Sequence, residues 1–137
     1  MQPHEIYSLR ARDVMKRRIV LVSPLDTVYD VLTKMQEAEC QVAIVDRADD
    51  DDAYGILTYQ EVVYRVISKS LPATRTRVGE IMAKPLIVVN PSLRLPFVAQ
   101  LFSRFGIQNA IVIEEHQLVG VISSSDLVAA LVQRKTE

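Results

Sequence analysis

The sequence predicts an α/β (α+β) protein of two tandem β-α-β-β-α repeats, packed through their sheets with pseudo-two-fold symmetry. Three observations carry this. Asp13-Val14-Met15 recurs as Glu80-Ile81-Met82, 67 positions on. At that shift Ile19-Val20-Leu21-Val22-Ser23-Pro24 lies over Leu86-Ile87-Val88-Val89-Asn90-Pro91, and Ala43-Ile44-Val45 over Ala110-Ile111-Val112. Further along each copy the shift becomes 65, and Gly55-Ile56-Leu57-Thr58 pairs with Gly120-Val121-Ile122-Ser123. Self-similarity of this kind marks a duplicated supersecondary unit. The two-residue difference falls between Asp46 and Tyr54, around Asp49 to Asp52, where a solvated turn absorbs an insertion.

Each element follows from local chemistry. A short leading helix ends at Met15 and at Met82. The apolar runs Ile19 to Val22 and Leu86 to Val89 read as strands closed by turns at Pro24 and Pro91. Val28, Val31, Leu32 and Met35 recur at helical spacing behind Asp26 or Thr27 as N-cap. In the second copy Phe97, Val98, Leu101, Phe102 and Phe105 do the same, and Gly106 stops the helix. Two strands joined by a polar turn follow, Val42 to Val45 with Tyr54 to Leu57, and Asn109 to Ile113 with Leu118 to Ile122. A last helix runs from Tyr59 to about Ser70 and from Ser124 to about Gln133. The repeats span 10–70 and 77–134. A three-stranded sheet does not bury both its faces alone, so the two halves are expected to fold as one unit.

The 137 residues are 49% hydrophobic and 24% charged, ordinary for a soluble globular protein. A net charge of −1 supplies no positive field for nucleic acid. Arg10, Arg12, Lys16, Arg17 and Arg18 cluster without interleaved aromatics, and read as a solvated face. Cys40 is the lone cysteine, so no intrachain disulfide forms and a cytoplasmic location is expected. No apolar run approaches a membrane span, and the first residues lack a signal-peptide core.

The order Val/Ile-Met, strand, Pro turn, helix, strand, then Gly-apolar-apolar-Thr/Ser-x-x-Asp/Glu resembles the cystathionine-β-synthase-type (CBS) repeat, which occurs in tandem as the Bateman module. The two signatures here run Gly55 to Glu61 and Gly120 to Asp126. The resemblance covers about Arg12 to Leu131 and is to the stand-alone kind. It implies a regulatory module that binds an adenosine-containing ligand: AMP, ADP or ATP, with S-adenosylmethionine or NAD as further candidates. It also implies a homodimer acting on a regulated protein still to be identified. Val63, Ile67, Val128 and Leu131 are possible contact positions.

Carried over residue by residue, the resemblance assigns Ser123 and Asp126 to a first cleft with Ile19, Val20, Cys40, Gln41 and Val42. It assigns Thr58 and Glu61 to a second with Leu86, Ile87, Ile107, Gln108 and Asn109. The chemistry suits the assignment. A hydroxyl before a helix and the free N–H groups of its first turn converge on an anion, and a carboxylate accepts both ribose hydroxyls. Arg17 and Lys84, just before the strands, are phosphate candidates.

A second reading stands beside this one. Thr58-x-x-Glu61 and Ser123-x-x-Asp126 are both capping boxes by sequence, which would leave a ligand-free structural or protein-interaction module with degenerate clefts. Glu61 departs from the family's usual Asp and is the better capping residue, so the Asp126 cleft is expected to bind first or exclusively.

Other features point to no chemistry. His4 and His116 lack matched acids, so no metal site is expected. The aspartate run lacks EF-hand spacing. No glycine-rich phosphate loop is present, and no nucleophile stands with a base and an orienting acid. Neither enzymatic activity nor a cofactor is expected.

Overall fold

The computed structural model describes residues 3–84 and 86–135. The side chain of His4, set aside above as a metal ligand, lies outside the described residues. The chain divides into two compact units, residues 18–86 and residues 1–17 with 87–137.

In the 18–86 unit, β1 (Leu21–Val22) pairs in parallel with β2 (Val42–Val45), which pairs antiparallel with β3 (Gly55–Thr58). The extended run begins before β1 proper, because the Ile44 N–H donates to Val20 O at 2.8 Å. Helix α2 (Val28–Ala38) crosses between β1 and β2. Its Val28, Val31 and Met35 are fully buried on one stripe, and Thr27 Oγ1 caps it by accepting from the Asp30 N–H at 3.2 Å. Burying a side chain of Met35's size is worth roughly 1.5–3 kcal/mol. These residues join Val20, Val22, Ala43, Val45, Leu57, Val62, Val66, Val78 and Ile81 in one core.

The other unit repeats the plan. In it β4 (Val88–Val89) pairs in parallel with β5 (Asn109–Glu114), and β5 antiparallel with β6 (Gln117–Ser123). Helix α5 (Leu95–Phe105) buries Leu95, Val98 and Phe102. It stops at Gly106, which takes the left-handed conformation at φ 62°. The matching stop in the first repeat is Glu39, at φ 56° with a full side chain.

Ile44, Ile56, Ile111 and Val121 are buried too. Burial of successive strand residues explains why β2 and β5 read as unbroken apolar runs rather than alternating ones.

Each leading helix packs on the sheet of the other repeat. Helix α1 (Ala11–Val14) belongs to the unit of β4–β6, and α4 (Val78–Ile81) to the unit of β1–β3. The residue after each methionine is bolted to a strand by reciprocal backbone bonds. Lys16 is held to Val121 at 2.8 and 2.9 Å, and Ala83 to Ile56 at 2.9 and 2.9 Å. These contacts set Met15 against Gly120 and Met82 against Gly55. A β-carbon at Gly120 would stand 2.5 Å from the Met15 sulfur, and one at Gly55 2.6 Å from that of Met82. The two signature glycines are therefore needed for close approach.

The last helices differ. Helix α6 (Ser124–Lys135) is continuous, but the expected Tyr59 to Ser70 helix is only α3 (Tyr59–Val62) followed by a π-helical turn, Val63–Ile67. The bond from the Ser68 N–H to Val63 O, 3.0 Å, spans five residues. The cause is compositional. Val62 and Val66 are β-branched and stiff against the preceding turn, where α6 has Leu127 and Leu131, unbranched at Cβ.

Candidate functional site

The site residues of the 1–17/87–137 unit come from the junction of β6 with α6 and from the segment that follows α1. Ser123 closes β6 and Asp126 sits in the first turn of α6. The Ser123 N–H and Oγ–H donate to one oxygen of Asp126, Oδ2, at 2.8 and 2.9 Å. In return the Asp126 N–H donates to Ser123 Oγ at 3.2 Å. The capping box is complete, and it consumes only half of the carboxylate.

The other oxygen, Oδ1, faces Lys16 Nζ at 3.7 Å. The carboxylate is 8% exposed and the lysine side chain 71%. Both line a groove of about 410 Å³ with Asp13 and Val14 on one side and Ser125, Ala129 and Ala130 on the other. That volume falls within the span of about 300–1,000 Å³ usual for small-molecule sites. Asp13 is partly committed, since its Oδ2 accepts from the Arg10 N–H at 2.8 Å.

The matching junction in the 18–86 unit carries the same cap, again built on one carboxylate oxygen. Glu61 Oε1 accepts both the Thr58 N–H at 2.6 Å and the Thr58 Oγ1–H at 2.7 Å. Ala83 occupies the place of Lys16, so no ammonium is supplied there. The unit's nearby cation, Arg65, donates from Nη1 to the carbonyls of Ile81 and Met82 at 3.3 and 3.2 Å, closing the end of α4.

The remaining candidates are distributed as follows. Ser123, Asp126, Arg17, Ile87, Ile107, Gln108 and Asn109 belong to the 1–17/87–137 unit. Ile19, Val20, Cys40, Gln41, Val42, Thr58, Glu61, Lys84 and Leu86 belong to the 18–86 unit. Asn109 is the register partner of Ser123, and Val42 of Thr58. Cys40 precedes β2 and packs half-buried against the core. Arg17 is exposed. Lys84 reaches Asp52 Oδ1 at 2.7 Å. That bond, with the Ala48 and Ala53 N–H groups, lowers the Asp52 carboxyl to a pKa of about 2.

Lys16 is the residue that sequence reasoning missed, because it was grouped with its basic neighbours as a solvated face. The signal was present in the repeat, where Lys16 aligns with Ala83 immediately after the paired methionines. No group of three or more His, Cys, Asp or Glu side chains among the described residues is arranged to hold a metal. No helix among them is long and apolar enough to cross a membrane.

The CBS-domain family model matches residues 11–68 and again 78–133. The chain belongs to the CBS-domain family. Such modules are generally regulatory or signal-transducing, and ligand-binding. A CBS domain-containing protein of Arabidopsis thaliana, CBSX3, mitochondrial, is 29% identical over 115 residues, 82% of this chain and 56% of that protein. The chain spans 56% to 62% of the length of this and two archaeal relatives. Among solved structures, a hexameric CBS-CP12 protein from bloom-forming cyanobacteria is 38% identical. It superposes with a TM-score of 0.83, over 88% of this chain and 67% of that one. The CBS domain of a bacterial CNNM/CorC family Mg2+ transporter, in complex with ATP, is 18% identical with a TM-score of 0.74. It covers 94% of this chain and 91% of that one, a likeness of fold.

Proposed function

We propose that this CBS pair is a non-catalytic regulatory module that binds an adenosine-containing ligand at Asp126 and modulates a partner protein. One observation carries the reading: Asp126 is held rigid by Ser123 through Oδ2 while Oδ1 remains directed at an ammonium in an open groove. Oδ1 lies outside the cap, so its lone pairs can accept from ribose hydroxyls once the ammonium moves aside. Pre-organisation by the cap lowers the cost of ordering the site when the ligand arrives. The ATP complex of the structurally similar CNNM/CorC domain supports an adenine nucleotide as the class.

Glu61 is capped in the same way, its Oε1 gathering both Thr58 donors, but it is the longer acid and Ala83 stands at the position of Lys16. We read that junction as a helix cap, so one nucleotide is expected per chain. Thermal shift with AMP, ADP, ATP, NAD and S-adenosylmethionine tests the proposal. A ligand at a hundredfold excess over its Kd adds about 2.7 kcal/mol to stability. A flat response to all five would refute it. It would favour the interaction-only module.

A further inference from the structure

We infer that Lys16 makes the Asp126 groove selective for nucleosides that carry a phosphate, against neutral nucleosides and sulfonium nucleosides. This rests on the reading of Asp126 as the ribose-binding acid.

Lys16 is fixed at its backbone and free at its tip. Two backbone bonds to Val121 hold the main chain at 2.8 and 2.9 Å, while the side chain is largely in solvent. Its ammonium stands at Asp126 Oδ1, the one oxygen that Ser123 leaves open. A diol that takes Oδ1 therefore displaces the ammonium. An exposed ion pair is weak, so displacement itself costs little. The consequence lies in where the released charge goes.

A neutral nucleoside offers the ammonium nothing. A nucleoside phosphate offers it an anion within the same groove, and a charge-assisted hydrogen bond forms. S-adenosylmethionine carries a sulfonium and an ammonium against its one carboxylate, so its net positive charge offers the freed lysine less than a phosphate does. The groove's other acid, Asp13, has one oxygen on the Arg10 N–H and a single charge, so it competes for the freed ammonium less strongly than a doubly charged phosphate. The 18–86 unit supplies an internal comparison: Ala83 occupies the lysine's position on identical backbone bonds, beside an acid that serves as a cap.

Titration calorimetry with AMP, adenosine and S-adenosylmethionine on the intact chain, Lys16→Met and Lys16→Arg tests this. In the wild type AMP should bind most tightly. Lys16→Met should weaken AMP about 10- to 100-fold, while adenosine stays within about twofold or tightens. Lys16→Arg should restore the preference for AMP. Equal weakening of AMP and adenosine in Lys16→Met, or no change in either, overturns the inference while leaving the ribose-binding role of Asp126 intact. Failure of the wild type to bind any of the three overturns both.

Discussion

The sulfur of Met15 lies so close over Gly120 that a side chain on that glycine would collide with it, and Met82 lies over Gly55 in the same way. Each pair joins the leading segment of one repeat to the sheet of the other. The segment after α1 is thereby delivered, with Lys16, to the acid at the start of α6. Gly120→Ala should destabilise the fold by about 1–3 kcal/mol through overpacking. Met15→Ala in the same chain should recover part of that loss, because the obstructing sulfur is gone. Additive losses in denaturant unfolding would show that the two residues do not share the site.

The helix stops give a second test. Gly106 ends α5 in the left-handed region at φ 62°, and Glu39 ends α2 there at φ 56°. A side chain in that conformation costs roughly 1–2 kcal/mol. Glu39→Gly should raise stability by about 0.5–1 kcal/mol and Gly106→Ala should lower it by a similar amount. The opposite signs are measurable as opposite shifts of Tm.

Acid sensitivity should trace to the aspartate turn. The Asp52 carboxyl is lowered from 3.8 to about 2, first by the hydrogen bond from Lys84 and then by the Ala48 N–H. A carboxyl with a depressed folded-state pKa stabilises the fold above its unfolded value and loses that contribution as pH falls through the folded value. The stability difference between wild type and Lys84→Met should be constant at neutral pH, then shrink from about pH 4 towards pH 2. A difference independent of pH would show that the ion pair is not its source.

Self-association is expected through the last helices, where Val63, Ile67, Val128 and Leu131 are exposed at 47, 64, 59 and 45%. Apolar side chains left in water on adjoining turns are the usual mark of a contact face. Sedimentation should find a dimer, and Ile67→Glu with Val128→Glu should yield monomers. An unchanged sedimentation coefficient would place the contact elsewhere.

The elements were legible because their signals are local. Val28, Val31 and Met35 announce α2 by spacing, Gly106 announces a stop, and the paired apolar runs announce the strands. Three features were not. The exchange of leading helices depends on contacts such as Lys16 with Val121, more than a hundred positions apart, which no periodicity encodes. The π turn at Val63–Ile67 arises from β-branched residues in an otherwise helical pattern. The difference between Asp126 and Glu61 was only half visible. Sequence marks the shorter acid as the better ribose partner, but the two caps share one geometry, and the ammonium placed at Asp126 is set by the fold.

Both acids close their helices, so each should cost about 0.5–2 kcal/mol of stability when truncated. Ligand binding should separate them. The most direct measurement is an AMP titration of the wild type, Asp126→Ala and Glu61→Ala under conditions where all three are folded. One site per chain is predicted, lost in Asp126→Ala and retained in Glu61→Ala. An isotherm that Asp126→Ala leaves unchanged would contradict the assignment of the nucleotide to this carboxylate.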